Sequence, residues 1–394
     1  MSYASVLRDR PRPRIAEGRF SAMPTLRIFT ERDVPAVAAL FVRAYPQYRW
    51  ASQSACESYI RELLFDNPWR DPELPSWVAE EEGRICGFYG VMPRRMRLRG
   101  RPIRVAVTVQ FMVDPDPRYS LTVLQLAKAC LSGPQDLTLA DGAHDLSRRL
   151  WIGIGGSAAL LYSLHWSRPL RPARYVLSLL EQRAALPLPL RVAGRPLAAL
   201  ADALAARLPQ NRFSREEGEL TEEPLDSARM VAHLPEVFDG NTLQPAYDAR
   251  ALAWLLEQAA RKTCFGPLRA RAVLDGVRRL IGWYLYYVRP GEVGQVLQIA
   301  ARKGSFDRVL ERLLADAWRH GAAAVRGRLD PRYVQELSRR HCWFRREDCW
   351  TLVHSRHADI MAAIHQGDAF LSRLEGEWWL RWTDGQRAHW REPR

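Results

Sequence analysis

The sequence predicts an α+β protein that contains two copies of one unit, each a mixed, mostly antiparallel twisted sheet flanked by helices. Short runs rich in β-branched and aromatic residues alternate with segments whose apolar residues recur at helical spacing. In each half of the chain, three strand-like runs follow one another, which is typical of an antiparallel sheet. The same order of elements occurs again roughly 190 residues further along, which indicates a duplicated unit.

The first unit is predicted to begin with a strand and a helix within 24–46. Thr30 is the expected N-cap of that helix, and Asp33 stands three residues later, where a capping box has its acidic residue. Glu82 and Gly83 lie between two alternating apolar runs and predict a hairpin turn. The other expected elements are a helix at 52–65, a strand at 107–113, a helix ending near 133, a strand at 137–142, a helix at 144–156 and a closing strand at 158–166.

Residues 169–215 differ in composition, with Leu-Pro and Arg-Pro pairs before an Ala/Leu-rich helix near 196–207 that we expect to pack between domains. Turns at Asp275-Gly276 and Pro290-Gly291 then join three antiparallel strands of the second unit. The predicted limits are a flexible N-terminus at 1–23, a first domain at 24–172, a linker with a helix at 173–216 and a second domain at 217–386.

The charge and the apolar runs limit the class of protein. The formal net charge is +14, but only three lysines occur, and the arginines are dispersed without an RNA-binding signature. We therefore expect no nucleic-acid partner, and at most an attraction for anionic substrates or coenzymes. No apolar run reaches the roughly 18 residues of a membrane span, and the charged N-terminus is not a secretory signal. These features predict a cytoplasmic protein with six reduced cysteines.

The segment 107–133 carries the main functional signal. An apolar, β-branched run stops at Asp114-Pro115-Asp116-Pro117 and continues as a helical pattern. A strand that feeds directly into a helix can present backbone N–H groups and a helix N-terminus to a phosphate. No G-x-S-x-G, Walker A or Rossmann glycine pattern is present, so the sequence favours none of the enzyme classes that those motifs mark.

The order of elements, together with Val113, Pro115 and Arg118, resembles the GNAT (acyl-CoA N-acyltransferase) superfamily. Members of that family have V-x-P-x-x-R-x-x-G-x-G/A at the end of the fourth strand, and this chain has Leu121 and Val123 where the two glycines would stand. The resemblance covers nearly the whole chain as two tandem copies. This tandem arrangement is similar to that of bacterial two-domain GNAT proteins and of Fem-type peptidoglycan aminoacyltransferases.

The resemblance implies where acyl-CoA would bind. The pantetheine arm pairs with the fourth strand, and the diphosphate rests on N–H groups at the start of the next helix, with Arg118 adding a charge-assisted bond. Carried onto this sequence, the coenzyme residues are Phe111, Met112, Val113, Arg118, Tyr119, Ser120, Leu121, Thr122 and Val123. Two interpretations of Leu121 and Val123 stay open: the amides bind the diphosphate in a wider loop, or this half has lost its coenzyme.

The resemblance also implies direct transfer of an acyl group, most simply acetyl, from acyl-CoA to an amine. That reaction needs a base for the amine and an acid for the thiol, but no metal. The family's acid is often a tyrosine on the helix after the fifth strand, and helix 144–156 contains none. In the family the fourth strand splays from the fifth, and Asp141 and His144 lie near that point in this chain. Together with Tyr162 they are therefore the candidates.

Three functions are weighed on this basis. The first is an acyl-CoA-dependent acyltransferase acting on a small-molecule or cell-envelope amine, and the second is a Fem-type aminoacyl-tRNA-dependent transferase. The third is a catalytically silent scaffold with the GNAT fold. The acceptor, the acyl chain and the oligomeric state cannot be inferred from the sequence.

The second half has weaker site candidates. Asp307 lies in the first turn of its equivalent helix, where a carboxylate stabilises the helix and repels a diphosphate. Near the C-terminus, Cys342 and Cys349 are separated by charged residues and a predicted strand, a spacing that does not fit a zinc site, so no metal is expected. A last strand at 374–382 would place Trp378 and Trp379 on opposite faces.

Overall fold

The structure is a computed structural model that describes residues 23–45, 52–183, 188–206, 220–346 and 349–380. The flexible N-terminus predicted at 1–23 lies outside the described residues except for Met23. None of the described helices is long and apolar enough to cross a membrane.

The described chain forms two similar series of elements joined by a pair of helices. The first series is β1 (Thr25–Ile28), α1 (Val34–Ala44), α2 (Gln53–Leu64), β2 (Trp77–Glu81), β3 (Arg84–Leu98), β4 (Arg101–Val113), α3 (Ser120–Leu131), β5 (Leu137–Ala143), α4 (Asp145–Gly153), β6 (Ser157–Ala158) and β7 (Leu164–Pro169). The joining helices are α5 (Pro172–Arg183) and α6 (Leu188–Ala206). The second series is β8 (Thr221–Pro224), α7 (Ser227–Val237), β9 (Leu243–Pro245), α8 (Ala249–Arg261), β10 (Leu268–Leu274), β11 (Leu280–Tyr287), β12 (Val293–Ala301), α9 (Phe306–Arg319), β13 (Ala324–Arg328), α10 (Val334–Arg339), β14 (Trp343–Arg346), β15 (Trp350–His354) and α11 (Ala358–His365).

The strands form two mixed, mostly antiparallel sheets, which confirms the predicted fold class. The first sheet has eight strands in the order β1-β2-β3-β4-β5-β15-β6, with β9 pairing on β3. The second has seven strands in the order β14-β7-β13-β12-β11-β10-β8. In each sheet, one pair is parallel, β4 with β5 and β12 with β13. The two sheets therefore repeat the same local arrangement.

The two series exchange their last strands. Strand β7, from the first series, pairs with β13 and β14 in the second sheet. Strand β15, from the second series, pairs with β5 and β6 in the first sheet. The prediction that 158–166 closes the first unit was therefore wrong. A strand pattern indicates that a segment pairs in a sheet, but it does not indicate which strand is the partner.

A large shared core lies between the inner faces of the two sheets. It contains Phe88, Val107 and Leu139 from the first sheet together with Trp283 and Leu297 from the second. The outer face of each sheet is covered by its own helices: α3 and α4 lie over the first sheet, and α9 and α10 over the second. The inner core therefore ties the two series into one packed body.

Several local predictions are confirmed. The backbone N–H of Thr30 donates to the Asp33 carboxylate at 2.8 Å, as in a capping box. The turn between β2 and β3 has positive φ at Glu82 (49°) and Gly83 (77°), as a two-residue hairpin requires.

Three expectations need correction. The linker contains two helices rather than one, and β9, β14 and α11 were not predicted from the sequence. In the last expected strand, the described part forms an irregular segment with a 3-10 turn at Trp378–Leu380. Leu374 and Trp379 are fully buried in the inner core, so these bulky apolar residues serve core packing rather than a strand.

Candidate functional site

The site begins where β4 and β5 separate. Their parallel pairing is confined to three residue pairs, Val105 to Val107 with Leu137 to Leu139. Beyond Val107, β4 continues to Val113, whereas β5 pairs with β15 on its other side. Two strands that share a sheet but pair over only three residues diverge into a fork, so the final segment of β4 has a free edge toward β5 among the described strands.

A bulge bends β4 inside this fork. Gln110 and Phe111 lie opposite the single residue Tyr89, and Gln110 has a positive φ of 51°. Gly90 is required beside the bulge, since a Cβ there would lie only 2.4 Å from the Val109 carbonyl oxygen. The bulge changes the direction of β4. The polar groups at the bulge are the Gln110 side chain and the Phe111 carbonyl.

Those polar groups form a short hydrogen-bonded chain on the inner side of the sheet. Gln110 Nε2 donates to Tyr59 Oη at 2.8 Å, and Tyr59 Oη donates to the Leu380 carbonyl at 2.9 Å. Tyr45 Oη donates to the Phe111 carbonyl at 2.9 Å. Helices α1 and α2 thus hold the bulge through two tyrosines, and the C-terminal segment reaches the same point.

Lys262 belongs to this network and was not predicted from the sequence. Its Nζ donates to the Leu380 carbonyl at 3.3 Å and lies 5.3 Å from the centroid of the Tyr59 ring. Burial lowers the pKa of Lys262 to about 8, so this ammonium loses its proton more readily than an ordinary lysine does. The only available signal was that lysine is rare in this chain; the contact depends on a tertiary approach of distant segments.

The turn after β4 is held by ion pairs. Asp114 is buried and accepts from Arg43 Nε at 3.2 Å and from Arg84 Nη2 at 2.7 Å. Asp116 accepts from the backbone N–H of Arg118 at 3.0 Å and thereby caps a 3-10 turn that runs into α3. The strand-to-helix connection predicted from 107–133 is present and is rigidly anchored.

Arg118 and Tyr119 are bonded to each other at this turn. Arg118 Nη2 and Tyr119 Oη are 2.5 Å apart, and the Tyr119 hydroxyl donates to Glu81 at 2.5 Å. Half of the Arg118 side chain is exposed, and it also lies 3.4 Å from carboxylate oxygens of Glu81 and Asp116. Its charge is therefore shared with two acids, although it remains at the start of α3.

The other predicted coenzyme residues differ in how far their side chains are exposed to solvent. Leu121 is 62% exposed, so its side chain points away from the sheet rather than filling the fork. Thr122 is buried against β3, and Val123 is half-buried. The amides of Tyr119 and Ser120 already donate within the turn, to the carbonyls of Asp116 and Pro117.

The three predicted catalytic residues are in different environments. Asp141 is buried in an ion pair with Arg328 of β13, with Gly376 packed against its carboxylate. Tyr162 is buried, donates to the Ala369 carbonyl at 2.6 Å and accepts from the Ala369 N–H at 2.9 Å. His144 is exposed at the N-cap of α4. Their catalytic roles stay predictions, and the contacts of Asp141 and Tyr162 also serve the packing of the two series.

The second sheet contains a similar fork. Strands β12 and β13 pair over only three residues, and β12 has a bulge at Leu297. In that fork, Gln298 is buried and bonded to Trp283 and Tyr247. Asp307, at the start of α9, accepts two bonds from Arg340 at 2.8 and 2.6 Å. Gln298 and Asp307 of this second fork thus have internal partners.

The described residues contain no group of three or more His, Cys, Asp or Glu side chains placed to hold a metal ion. The candidate site consists of the first fork, the start of α3 and the Tyr59–Lys262 network.

Comparison with known proteins supports this geometry at the level of the fold. No protein family model matches the chain, and no curated protein matches it. A solved structure of a probable N-acyltransferase from Enterococcus faecalis V583 is similar with a TM-score of 0.56 and 9% identity, covering 85% of this chain and 73% of that one. A GCN5-related N-acetyltransferase from Anabaena variabilis ATCC 29413 has a TM-score of 0.53 and 11% identity, with 83% and 72% covered. At such identities the likeness is one of architecture, and by that architecture the chain has the GNAT fold.

Proposed function

We propose that this protein transfers an acyl group, most simply acetyl, from acyl-CoA to an amine. The observation that carries the proposal is the fork between β4 and β5, which is followed directly by the start of α3. A fold alone does not establish an activity. The fork adds a specific feature to the fold, because it offers a free strand edge and a helix start at one place.

In this proposal the pantetheine arm pairs with the β4 edge at Phe111, Met112 and Val113, as an added strand would. The diphosphate lies at the start of α3, where the helix dipole favours an anion and Arg118 is within reach. Leu121 is exposed at this helix start, so its side chain is not packed between β4 and β5.

The transfer itself needs a neutral amine and a polarised thioester. The amine nitrogen attacks the thioester carbon, the new C–N bond forms and the C–S bond breaks. The amine loses one proton and the departing thiolate gains one. Lys262 is a candidate acceptor for the amine proton, because its lowered pKa and its position beside Tyr59 suit a base near the bulge.

The division of the chain forms a further part of the proposal. We infer two tandem GNAT-like units at 24–172 and 217–386, joined by 173–216. The repeated fork and the repeated order of elements support this division. Strand β7 of the first unit lies in the second sheet, and β9 and β15 of the second unit lie in the first sheet.

Calorimetric titration of the full chain with acetyl-CoA tests the proposal. We expect one binding event per chain, because the Asp307 carboxylate at the start of α9 repels a diphosphate at the second fork. Absence of binding at millimolar acetyl-CoA would reject the proposal and leave a GNAT-fold scaffold as the better account. The acceptor can then be sought by following release of the free thiol with a panel of amines.

A further inference from the structure

The joining helices α5 and α6 form a hairpin that is attached to the second series of elements through α5. Just before α5 begins, the Arg171 guanidinium donates to the carbonyls of Ala322 and Trp318, at 2.6 and 2.8 Å. Tyr175 of α5 is buried, and its ring lies 6.0 Å from the ring of Trp343 in β14. These contacts fix the position of α5 on the body of the molecule.

Helix α6 is held against α5 by one of its faces. Asp202 is buried, and its carboxylate accepts from the backbone N–H groups of Ala173 and Arg174, at 2.9 and 3.1 Å. This carboxylate thereby caps the start of α5. Ala198, one turn earlier on the same face of α6, is buried as well. Asp202 is the single charged residue between 196 and 206, so the other faces of this part of α6 bear no charge.

The opposite face of α6 carries a leucine row, which consists of Leu197, Leu200 and Leu204. These residues recur at intervals of three and four positions, the spacing by which helices pair in coiled coils. They are 67%, 60% and 56% exposed. In the part of the chain that the structure describes, the row therefore faces solvent, and exposed apolar surfaces of this kind are typical of interaction sites.

The apolar area of this face is large enough for a dimer. Each leucine of the row offers roughly 100 Å² of apolar area, and the exposed Pro196, Ala201 and Ala203 beside it offer roughly half as much each. Two copies that pair through α6 therefore bury roughly 900 Å² of apolar area. The half-exposed Val176 and Leu180 of the neighbouring α5 bring the total above roughly 1,000 Å², the size that a specific interface needs.

The charge of the face favours a second copy of this chain as its occupant. The chain has a formal net charge of +14, so two copies repel each other where arginines meet. Two leucine rows can meet without burying an unpaired charge. A helix that lies on a membrane usually carries Lys or Arg beside its apolar face, and neither occurs between 196 and 206. A nucleic acid would find no cation on this face either.

We propose that two copies of this chain pair through their leucine rows, with the two α6 helices antiparallel about a two-fold axis near Leu200. A contact of this kind is self-complementary, because both copies contribute the same face. It brings Leu197 beside Leu204 of the partner subunit, and it brings the two Leu200 side chains together. The pairing goes beyond the proposed acyltransferase function and does not depend on it.

Sedimentation equilibrium of the full chain across the micromolar range tests the pairing. We expect a concentration-dependent mixture of single chains and of particles with twice their mass. The mass of a single chain at every concentration would overturn the proposal. A second run contains vesicles of phosphatidylglycerol and phosphatidylcholine. Single chains that sediment with these vesicles would identify a membrane surface as the occupant and would equally overturn it.

A charge at the centre of the row should separate the two copies. Leu200→Glu is expected to weaken the association by about hundred-fold or more, because two carboxylates would meet at the axis. Leu146→Glu makes the same change at an exposed leucine of α4 and should leave the association unchanged. If circular dichroism shows that Leu200→Glu does not fold, Leu197→Gln/Leu204→Gln takes its place, with an expected loss of about ten-fold or more. An unchanged dimer in the folded variant would contradict the proposal.

Mixing two variants identifies the occupant directly. Leu200→Glu and Leu200→Lys are each expected to sediment as single chains. Their equimolar mixture should form dimers again, because opposite charges meet at the axis. An occupant within the same chain would give no recovery on mixing. Absence of dimers in the mixture would therefore reject the contact between two leucine rows.

Discussion

Asp141 of the first sheet and Arg328 of the second form an ion pair in which both side chains are almost completely buried, at 3% and 4% exposure. The pair joins β5 to β13, the strands that also receive the exchanged strands β15 and β7. Arg328 is further bonded to the Leu371 and Ser372 carbonyls of the C-terminal segment. One charged contact thus connects both sheets and the segment between them.

Replacing Asp141 with alanine is therefore expected to lower the free energy of unfolding by about 3–5 kcal/mol, because Arg328 would be left buried without its partner. Urea denaturation measures this change. The double variant Asp141→Ala/Arg328→Leu should recover much of the loss, since it removes both charges. A single variant with wild-type stability and no acyl transfer would instead support the catalytic role predicted for Asp141.

A carboxylate at the start of α3 should weaken coenzyme binding. In Leu121→Glu the new charge lies beside the proposed diphosphate position, and we expect acetyl-CoA affinity to fall by about ten-fold or more. Leu146→Glu is a matched control, because Leu146 is also an exposed leucine at the second residue of a helix. Calorimetry on both variants provides the comparison. Equal effects would mean that the diphosphate lies elsewhere.

Lys262 should give the stability a recognisable pH dependence. Its pKa is about 8 in the folded chain and 10.5 as the reference value. Below pH 8 both states carry the proton, so the penalty for burying the charge is constant. Between pH 8 and 10.5 the unfolded chain binds more protons, and this contribution to stability rises with pH. Lys262→Met lacks that contribution.

The free energies of unfolding of the wild type and Lys262→Met, measured across this range, should therefore differ in slope. The advantage of the variant at pH 7 is expected to shrink steadily toward pH 10.5. Parallel curves for the two proteins would mean that Lys262 titrates at its ordinary pKa.

The bulge in β4 depends on Gly90. Gly90→Ala is expected to destabilise the fold by about 1–3 kcal/mol, because the added Cβ clashes with the backbone of Val109. It should also weaken acetyl-CoA binding by displacing the bulge. Gly153→Ala, in a helix with no neighbour within 4 Å of the added methyl group, serves as control and should be neutral or stabilising. Intact coenzyme binding in Gly90→Ala would show that the bulge position is not needed for the site.

Local features of the fold could be predicted from the sequence. The capping box of Thr30 and Asp33, the hairpin at Glu82–Gly83 and the strand-turn-helix after Val113 involve residues close together in the chain. Their conformations follow from short-range hydrogen bonding and from the periodicity of apolar residues. The α+β class and the repeated order of elements could be inferred for the same reason.

Only part of the candidate site could be predicted from the sequence. The segment of the fork and the start of α3 could be identified, because one continuous stretch of sequence forms them. Gln110, Tyr59 and Lys262 come together from three distant segments, and no pattern in any one of them indicates the others.

By itself the sequence determined most of the elements, the hairpin turn at Glu82–Gly83 and the strand that leads into α3, since those depend on neighbours along the chain. Only the tertiary structure decided that β7 and β15 exchange sheets, that Arg328 neutralises Asp141 and that the buried Arg94 guanidinium has no hydrogen-bond partner in the described part of the chain. The reason is physical: strand partners and buried charges are selected by the packing of distant surfaces against one another, and that selection leaves no periodic trace in the residues that take part.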